Sequence, residues 1–417
     1  MSLKKTLSYP HVKRFYLSRL ISSFGNGMGP IALAFGILHL HRMHSLTSGG
    51  RELGFVLGAQ TLAMLCVIPF GGVLADKYGR ILIIGLADIV GGSVLLVQSF
   101  FFHTGNVPNY VLFACNAIFG LMWGIFWPAF SGVLPSLLPE ELLQQGNSIN
   151  QFISNGSLII GTAIGGWLIT AFGSTWALTI DASSFVIAGS LVIGLRQLTP
   201  RAPESHVTFF HDMREGWRIF LSFHWIVATV AGFSFFVLIW AATDSVLGPL
   251  IAVKYFHGPK SWATVMSAEA FGLLVGSLIG MRIKVRYPMR FLTAITVVFP
   301  VYVLTLAKPQ QLWIIAVAAF VTGVMLDLWG SMWSTAMARE VPREALSRVS
   351  AFDGLGTLLL RPVGLAIAAP LASVIGLTHL LELFSALSLA IVLIVLALPS
   401  VWRMELSVSS QGTPTIL

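Results

Sequence analysis

The sequence predicts an all-α integral membrane protein of about twelve transmembrane helices, arranged as two pseudo-symmetric sets of six. Three observations carry that prediction. Of 417 residues, 56% are apolar and only 10% are charged, which is more apolar surface than a water-soluble domain can bury. Apolar runs of roughly 20 residues, each able to cross a hydrocarbon core of about 30 Å, recur along the whole chain. The chain also repeats itself at a constant shift of 203 residues.

The runs fall near 15–40, 52–75, 81–102, 108–134, 147–171, 175–196, 222–253, 261–282, 290–307, 311–338, 348–374 and 377–402. They are too long for the strands of a closed barrel and lack period-2 alternation. Lys4 and Lys5 precede a first run too long for a signal-peptide core, so it reads as an uncleaved span. Between the second and third runs lies a short polar break, Gly72-Val73-Leu74-Ala75-Asp76-Lys77-Tyr78-Gly79-Arg80. Its glycines suit close helix ends and a sharp turn. Asp76 can accept from free N–H groups at a neighbouring helix N-terminus. Cys66 and Cys115 fall inside runs and read as packing residues.

The repeat relates the fourth and fifth runs to the tenth and eleventh. Leu138-Pro139-Glu140-Glu141 resembles Val341-Pro342-Arg343-Glu344, and the same shift carries Gly120 to Gly323, Met122 to Met325, Gly161 to Gly364 and Gly173 to Gly376. The copies share one membrane orientation. Four regions follow: a first six-helix bundle over 1–196, a linker over 197–221, a second bundle over 222–403, and a tail over 404–417. Pro200 and Pro203 open the linker as a loop. The segment from Phe209 to Phe220 then reads as an amphipathic helix lying at the membrane interface.

Lys and Arg set the orientation. With the N-terminus inside, cytoplasmic segments hold Lys4, Lys5, Lys13, Arg14, Arg19, Lys77, Arg80, Arg196, Arg201, Arg214, Arg218, Arg282, Lys284, Arg286, Arg290, Arg339, Arg343, Arg348 and Arg403, against Arg42, Arg51, Lys254, Lys260 and Lys308 outside. The reverse topology would invert this bias. These loops account for the net charge of +8. No basic patch interleaved with aromatics occurs in a soluble segment, so a nucleic-acid partner is not expected.

The break at Gly72–Arg80 fits G-x-x-x-D-[RK]-x-G-R and resembles the loop between helices 2 and 3 of major facilitator superfamily transporters. Other stretches resemble the macrolide-efflux and siderophore-exporter branch of its drug:proton antiporters. These are Ser18-Arg19-Leu20-Ile21-Ser22-Ser23-Phe24-Gly25, Pro128-Ala129-Phe130-Ser131-Gly132-Val133-Leu134-Pro135, Asp181-Ala182-Ser183-Ser184-Phe185 and Arg214-Glu215-Gly216-Trp217-Arg218. The resemblance implies two bundles rocking about a midplane cavity, and export of a small amphipathic organic compound driven by protons. It also implies that Asp76, with Gly72, Lys77, Gly79 and Arg80, acts as a conformational switch by contacting the start of helix 11 near Ser347. Three departures stand out. Ile81 follows Arg80 where another basic residue is usual. Asn116 stands where helix 4 of these antiporters often carries arginine. The helix-5 motif Gly161-Thr162-Ala163-Ile164-Gly165-Gly166 has threonine in place of proline.

Ionisable groups inside a span are costly and usually face a cavity or a partner. Arg361 reads as the only basic residue deep in a span. Counted at about 1.5 Å per residue, Arg361, Glu269 and Asp327 fall at similar depths, in helices 11, 8 and 10. They form a candidate polar cluster in which one carboxylate pairs with the guanidinium and the other titrates; a static ion pair fixing the packing is the alternative. Asp244 reads either as lining an outer vestibule or as satisfying irregular backbone near Gly248-Pro249. Asp88 and Asp181 read as structural, and Asp353 as a capping or interfacial residue.

Neutral polar groups at mid-depth, Asn26, Gln60, Asn116, Asn150 and Asn155, together with Trp123, Trp127, Trp329 and Trp333, make a candidate cavity for an amphipathic molecule. Helix–helix contacts and lipid-facing rings are the alternative for any one of them. His39, His41 and His44 cluster at an outer helix end and read as interfacial, not as a metal site. No Walker loop, HExxH, CxxC or nucleophile elbow is present, so an enzyme is not expected. The expected protein is a monomeric exporter in a bacterial-type cytoplasmic membrane, both termini inside, with lipids, protons and its cargo as partners and no cofactor beyond the proton gradient. Its alternatives are a proton-independent facilitator or lipid or lysolipid flippase, and a non-transporting receptor or scaffold.

Overall fold

The computed structural model describes residues 6, 8–41, 45–195, 209–282, 288–309 and 311–397. Lys4, Lys5, Arg42, His44, Arg196, Pro200, Arg201, Pro203, Lys284, Arg286, Arg403 and the 404–417 tail lie outside them. Twelve helices are long and apolar enough to cross a membrane: His11–Leu40, Leu46–Tyr78, Arg80–Thr104, Asn109–Ser131, Glu140–Phe172, Ser174–Ile193, His224–Tyr255, Pro259–Gly280, Arg290–Ala307, Leu312–Glu340, Arg348–Ile375 and Leu377–Ala397. They are called spans 1 to 12. The described residues contain no strand, as expected where no water is present to satisfy an open sheet edge. Odd-numbered spans start at one face, the entry face, and even-numbered spans at the opposite, far face. The break expected at Gly72–Arg80 is almost wholly helical: span 2 runs to Tyr78, span 3 starts at Arg80, and Gly79 alone turns the chain.

Spans 1–6 and 7–12 form two six-helix bundles whose packing repeats residue by residue. A Cβ on Gly120 would collide with the Gln60 carbonyl of span 2, and one on its repeat mate Gly323 with the Glu269 carbonyl of span 8. Gly161 lies likewise on the Phe24 carbonyl of span 1, and Gly364 on the Leu238 carbonyl of span 7. Gly173 and Gly376, which end spans 5 and 11, share a φ of +88°, a conformation that a side chain disfavours. Only small residues let backbones approach this closely, and close approach is the main source of packing energy between helices in lipid.

Prolines break the regular ladder where the second bundle needs irregular backbone. Span 7 contains a π-helical turn, Ala242–Leu247, just before Gly248-Pro249. Pro249 has no N–H to donate back into the preceding turn, so the hydrogen-bond register slips there. Span 11 divides into Arg343–Leu358 and Arg361–Ile375 ahead of Pro362.

The apolar core shows how the bundles meet. At the far face one continuous cluster crosses between them, joining Leu53 and Val56 of span 2 to Val246, Leu250, Leu365 and Ala369. Gly50, Gly54 and Gly58 of span 2 lie against Leu250, Leu365, Ala369 and Pro362, and Gly166 of span 5 lies against Ala263 of span 8. At the entry face each bundle has its own core, one around Phe15, Ile81, Phe126 and Leu142, the other around Ile226, Leu292, Trp333 and Val349. The bundles are therefore joined at the far face and separate at the entry face.

The amphipathic helix forms as expected, over Phe209–Ser222. It docks on the entry end of span 11. Glu215 accepts a 2.6 Å bond from Arg348, Gly216 sits against Arg348 and Phe352, and the Trp217 ring lies 5.3 Å from that of Phe352. This accounts for the Arg214-Glu215-Gly216-Trp217-Arg218 stretch by packing.

Candidate functional site

The π-helical turn of span 7 places Asp244 inside the second bundle, 8% exposed. Its Oδ1 accepts a 3.0 Å bond from the hydroxyl of Tyr302 on span 9. Glu269 of span 8, 7% exposed, brings its carboxyl beside that of Asp244. The Trp240 indole N–H, one turn before Asp244, is directed at both carboxyls without completing a bond. Asp244 Oδ2, Glu269 Oε2, Trp240 Nε1 and Thr243 Oγ1 are all buried without a partner. No cation among the described residues pairs with either acid. Two carboxylates in contact and shielded from solvent repel one another when both are charged, which favours a proton on one of them. π-helical turns often occur at functional sites.

The cluster expected from sequence contained Glu269 with Asp327 and Arg361. The structure brings Glu269 to Asp244 instead. Asp327 stands beside Gly276, two turns along span 8 from Glu269, where a glycine Cβ would lie 2.9 Å from its own Cβ. Among the described residues Arg361 makes no ion pair, and its Nε is buried without a partner. Counting depth along each helix put Asp327 level with Glu269, but it lies two turns away, and rotation about the axis decides which residues face one another. One usable signal was missed. Asp244 and Glu269 lie at matching depths on either side of the short 256–258 turn, eleven and ten residues from their span ends.

Trp240 links this pair to a cavity of about 400 Å³ between spans 7, 10 and 11, lined by Phe233, Phe236, Trp240, Trp329, Trp333 and Asp353, among others. Its wall is a stack of rings: Trp329 lies 4.0 Å from Phe233 and 5.1 Å from Trp333. The Trp333 indole donates a 3.1 Å bond to Asp353 Oδ2. Asp353 therefore faces an aromatic cavity, contrary to its reading as a capping residue. Of the candidate cavity residues, Trp329 and Trp333 line this cavity and the others do not. A larger cavity of about 850 Å³ opens at the far face, lined by Phe102, Thr170, Phe256 and the histidines His39 and His257.

Residues 15–364 match the Major Facilitator Superfamily. This chain belongs to that superfamily. Over 361 residues it is 25% identical to macrolide efflux protein A of Streptococcus pyogenes, covering 84% of this chain and 88% of the relative. It is 25% identical over 392 residues to the multidrug efflux pump Tap of Mycolicibacterium fortuitum, covering 90% and 91%. The fold is shared with the nucleoside transporter NupG, at a TM-score of 0.73, 12% identity and coverage of 95% and 100%. The protein is a multi-pass membrane transporter, not an enzyme, and its relatives are efflux pumps for small organic compounds.

The first bundle treats the remaining candidates differently. Asn116 is 1% exposed and donates to Gln98 of span 3 and to Leu112, so it braces spans 3 and 4 and lines no cavity. Trp123 packs among Phe119, Phe126 and Phe185, whereas Trp127 is 54% exposed. Asn155 accepts from Gln151, and Asn150 Oδ1 is buried without a partner. Asn26 and Gln60 are half-buried; Gln60 occupies the position in span 2 that Glu269 holds in span 8, each under its repeat-related glycine. In the helix-5 motif, Gly161 and Gly165 seat span 5 on span 1 and Gly166 touches the other bundle. Thr162, where the superfamily pattern has proline, donates a 3.0 Å bond to the Gly27 carbonyl of span 1.

Asp76 accepts a 3.2 Å bond from Arg80, with the bundles apart at this face and the entry end of span 11 engaged by Glu215 through Arg348. One expectation is corrected. Arg361 is not the only basic residue deep in a span: Arg19, expected in a cytoplasmic segment, is 5% exposed and bonds Asp88 at 2.6 Å.

Proposed function

We propose that this transporter exports a small amphipathic organic compound by alternating access, and that inward proton movement drives it through the Asp244–Glu269 pair. The observation that carries the reading is the buried, cation-free acid pair separated from an aromatic cavity by one side chain, Trp240. Cargo entering the cavity displaces the Trp240 indole from the two carboxyls and changes which of them holds the proton. The efflux relatives support a drug-like or siderophore-like cargo. The Lys and Arg bias puts the entry face in the cytoplasm, so the described state is open to the inside, and the membrane is the cytoplasmic membrane of a bacterial cell. Asp76 then returns to the start of span 11 when the bundles close at the entry face.

The test is proton flux in acid-loaded everted vesicles on adding macrolides, siderophores and lipophilic cations, with Glu269→Gln and Asp244→Asn proteins alongside. Cargo-dependent release of protons from intact-protein vesicles, lost in both variants, is expected. Unchanged, gradient-insensitive cargo flux in Glu269→Gln would overturn proton coupling and favour the facilitator or flippase reading.

A further inference from the structure

The 400 Å³ cavity holds a chemistry that narrows the cargo. Five of its lining residues are aromatic, Phe233, Phe236, Trp240, Trp329 and Trp333, and one is a carboxylate, Asp353. Trp329 is stacked between Phe233 at 4.0 Å and Trp333 at 5.1 Å, so the wall is a continuous aromatic surface. Trp333 fixes Asp353 by donating to Oδ2. Among the described residues no side chain donates to the second oxygen, Oδ1. The nearest basic side chain along span 11 on the entry side, Arg348, is paired to Glu215, and Arg361, beyond the break in span 11, makes no ion pair. A carboxylate with no counter-ion among the described residues, set in an aromatic cavity of this size, matches a compact organic cation on both counts: charge to charge, and apolar body to aromatic wall.

We propose that the cavity between spans 7, 10 and 11 is a cation-selective site in which Asp353 pairs with an amine or other onium centre of the cargo and Trp329 and Trp333 cover its apolar body. This rests on the export reading above and adds the charge of the cargo to it. The acid pair and the cation site are distinct in role: Asp353 faces the cavity, and Asp244 and Glu269 lie behind Trp240. An arriving cation touches both the Asp353 carboxylate and, through the ring wall, the Trp240 indole. That contact gives a cationic cargo a route to the proton site that a neutral one lacks.

Binding, separate from flux, tests the site. The purified full-length protein in detergent is titrated with tetraphenylphosphonium and with tetraphenylborate, ions of the same shape and opposite charge, by tryptophan fluorescence. Asp353→Asn keeps an oxygen for the Trp333 indole and removes only the charge. The expected result is preference for the phosphonium in the intact protein, loss of about tenfold or more in its affinity in Asp353→Asn (~1.4 kcal/mol), and recovery in Asp353→Glu. Equal affinity of the intact protein for the two ions, or intact-protein affinity in a folded Asp353→Asn, would overturn the proposal. Thermal melting of each variant identifies one that has failed to fold, and Asp353→Glu then decides alone, through its preference between the ions. Phosphonium binding without proton release in the vesicles would leave this site standing and remove the proton-coupled reading.

Discussion

Arg19 and Asp88 show how far one buried pair sets the character of the first bundle. The guanidinium lies 5.0 Å from the Phe126 ring centroid and 5.7 Å from that of Phe130, and side-chain exposure of the pair is 6% and 2%. Removing one partner leaves the other charge in a site without water, a loss of about 3–5 kcal/mol. Asp88→Ala is therefore expected to lower the melting temperature sharply in detergent, whereas the double replacement Arg19→Met with Asp88→Leu recovers most of it. Equal losses in the single and double variants would show that the packing, not the charge, matters. The acid pair of the second bundle differs in having no cation among the described residues, and the proposed function makes it the proton carrier. At the same scale, Thr162→Val removes one hydrogen bond to span 1 and is expected to cost about 1 kcal/mol in the same melting assay.

Among the elements, span 2 carries two glycine surfaces with different purposes. Gly71 packs within its own bundle against Pro128 and Gly124 of span 4, while Gly50, Gly54 and Gly58 meet the other bundle. A Cβ on Gly54 would collide with the Leu365 carbonyl of span 11. Gly54→Leu is thus expected to leave the first bundle intact and prevent the far face from closing. Spin labels at the far ends of spans 2 and 11 would report a longer distance, with transport reduced about tenfold or more; an unchanged distance would refute a gating role for this contact. Span 7 illustrates the other use of sequence, because Pro249 creates the π-helical turn that aims Asp244 inward. Pro249→Ala restores the missing donor and is expected to weaken proton coupling more than cargo binding.

At the scale of the whole molecule, the shared far-face core and the divided entry-face cores define a state open at the entry face, which the proposed orientation makes inward-open. Switching requires the entry ends of spans 2 and 11 to come together. Asp76 now bonds Arg80, and Arg348 now bonds Glu215 of the linker helix. Under the proposed alternating access, closure at the entry face brings Asp76 to span 11, and the linker helix then holds the state that the loop motif leaves. Glu215→Gln is expected to shift the population toward the outward-open state and Asp76→Asn toward the inward-open state, read by cross-linking of cysteines placed at the entry ends of spans 2 and 11.

The sequence by itself determined the class, the number of spans, the repeat and the superfamily. These depend on composition, on run lengths matched to hydrocarbon thickness and on residues at a fixed shift, all of which are one-dimensional. It also put Glu269, Trp329 and Trp333 among the functional candidates, because an acid or an indole inside a span is conspicuous in any orientation. Only the tertiary structure decided that Glu269 faces Asp244 and not Arg361, that Asn116 braces two helices, that Arg19 is buried with Asp88, and that Asp353 faces a ring-lined cavity. Each of these turns on rotation about a helix axis or on a backbone irregularity. In a span apolar on all sides, hydropathy does not mark which face meets a neighbour; that is set by glycines fitting against the carbonyls of a partner helix.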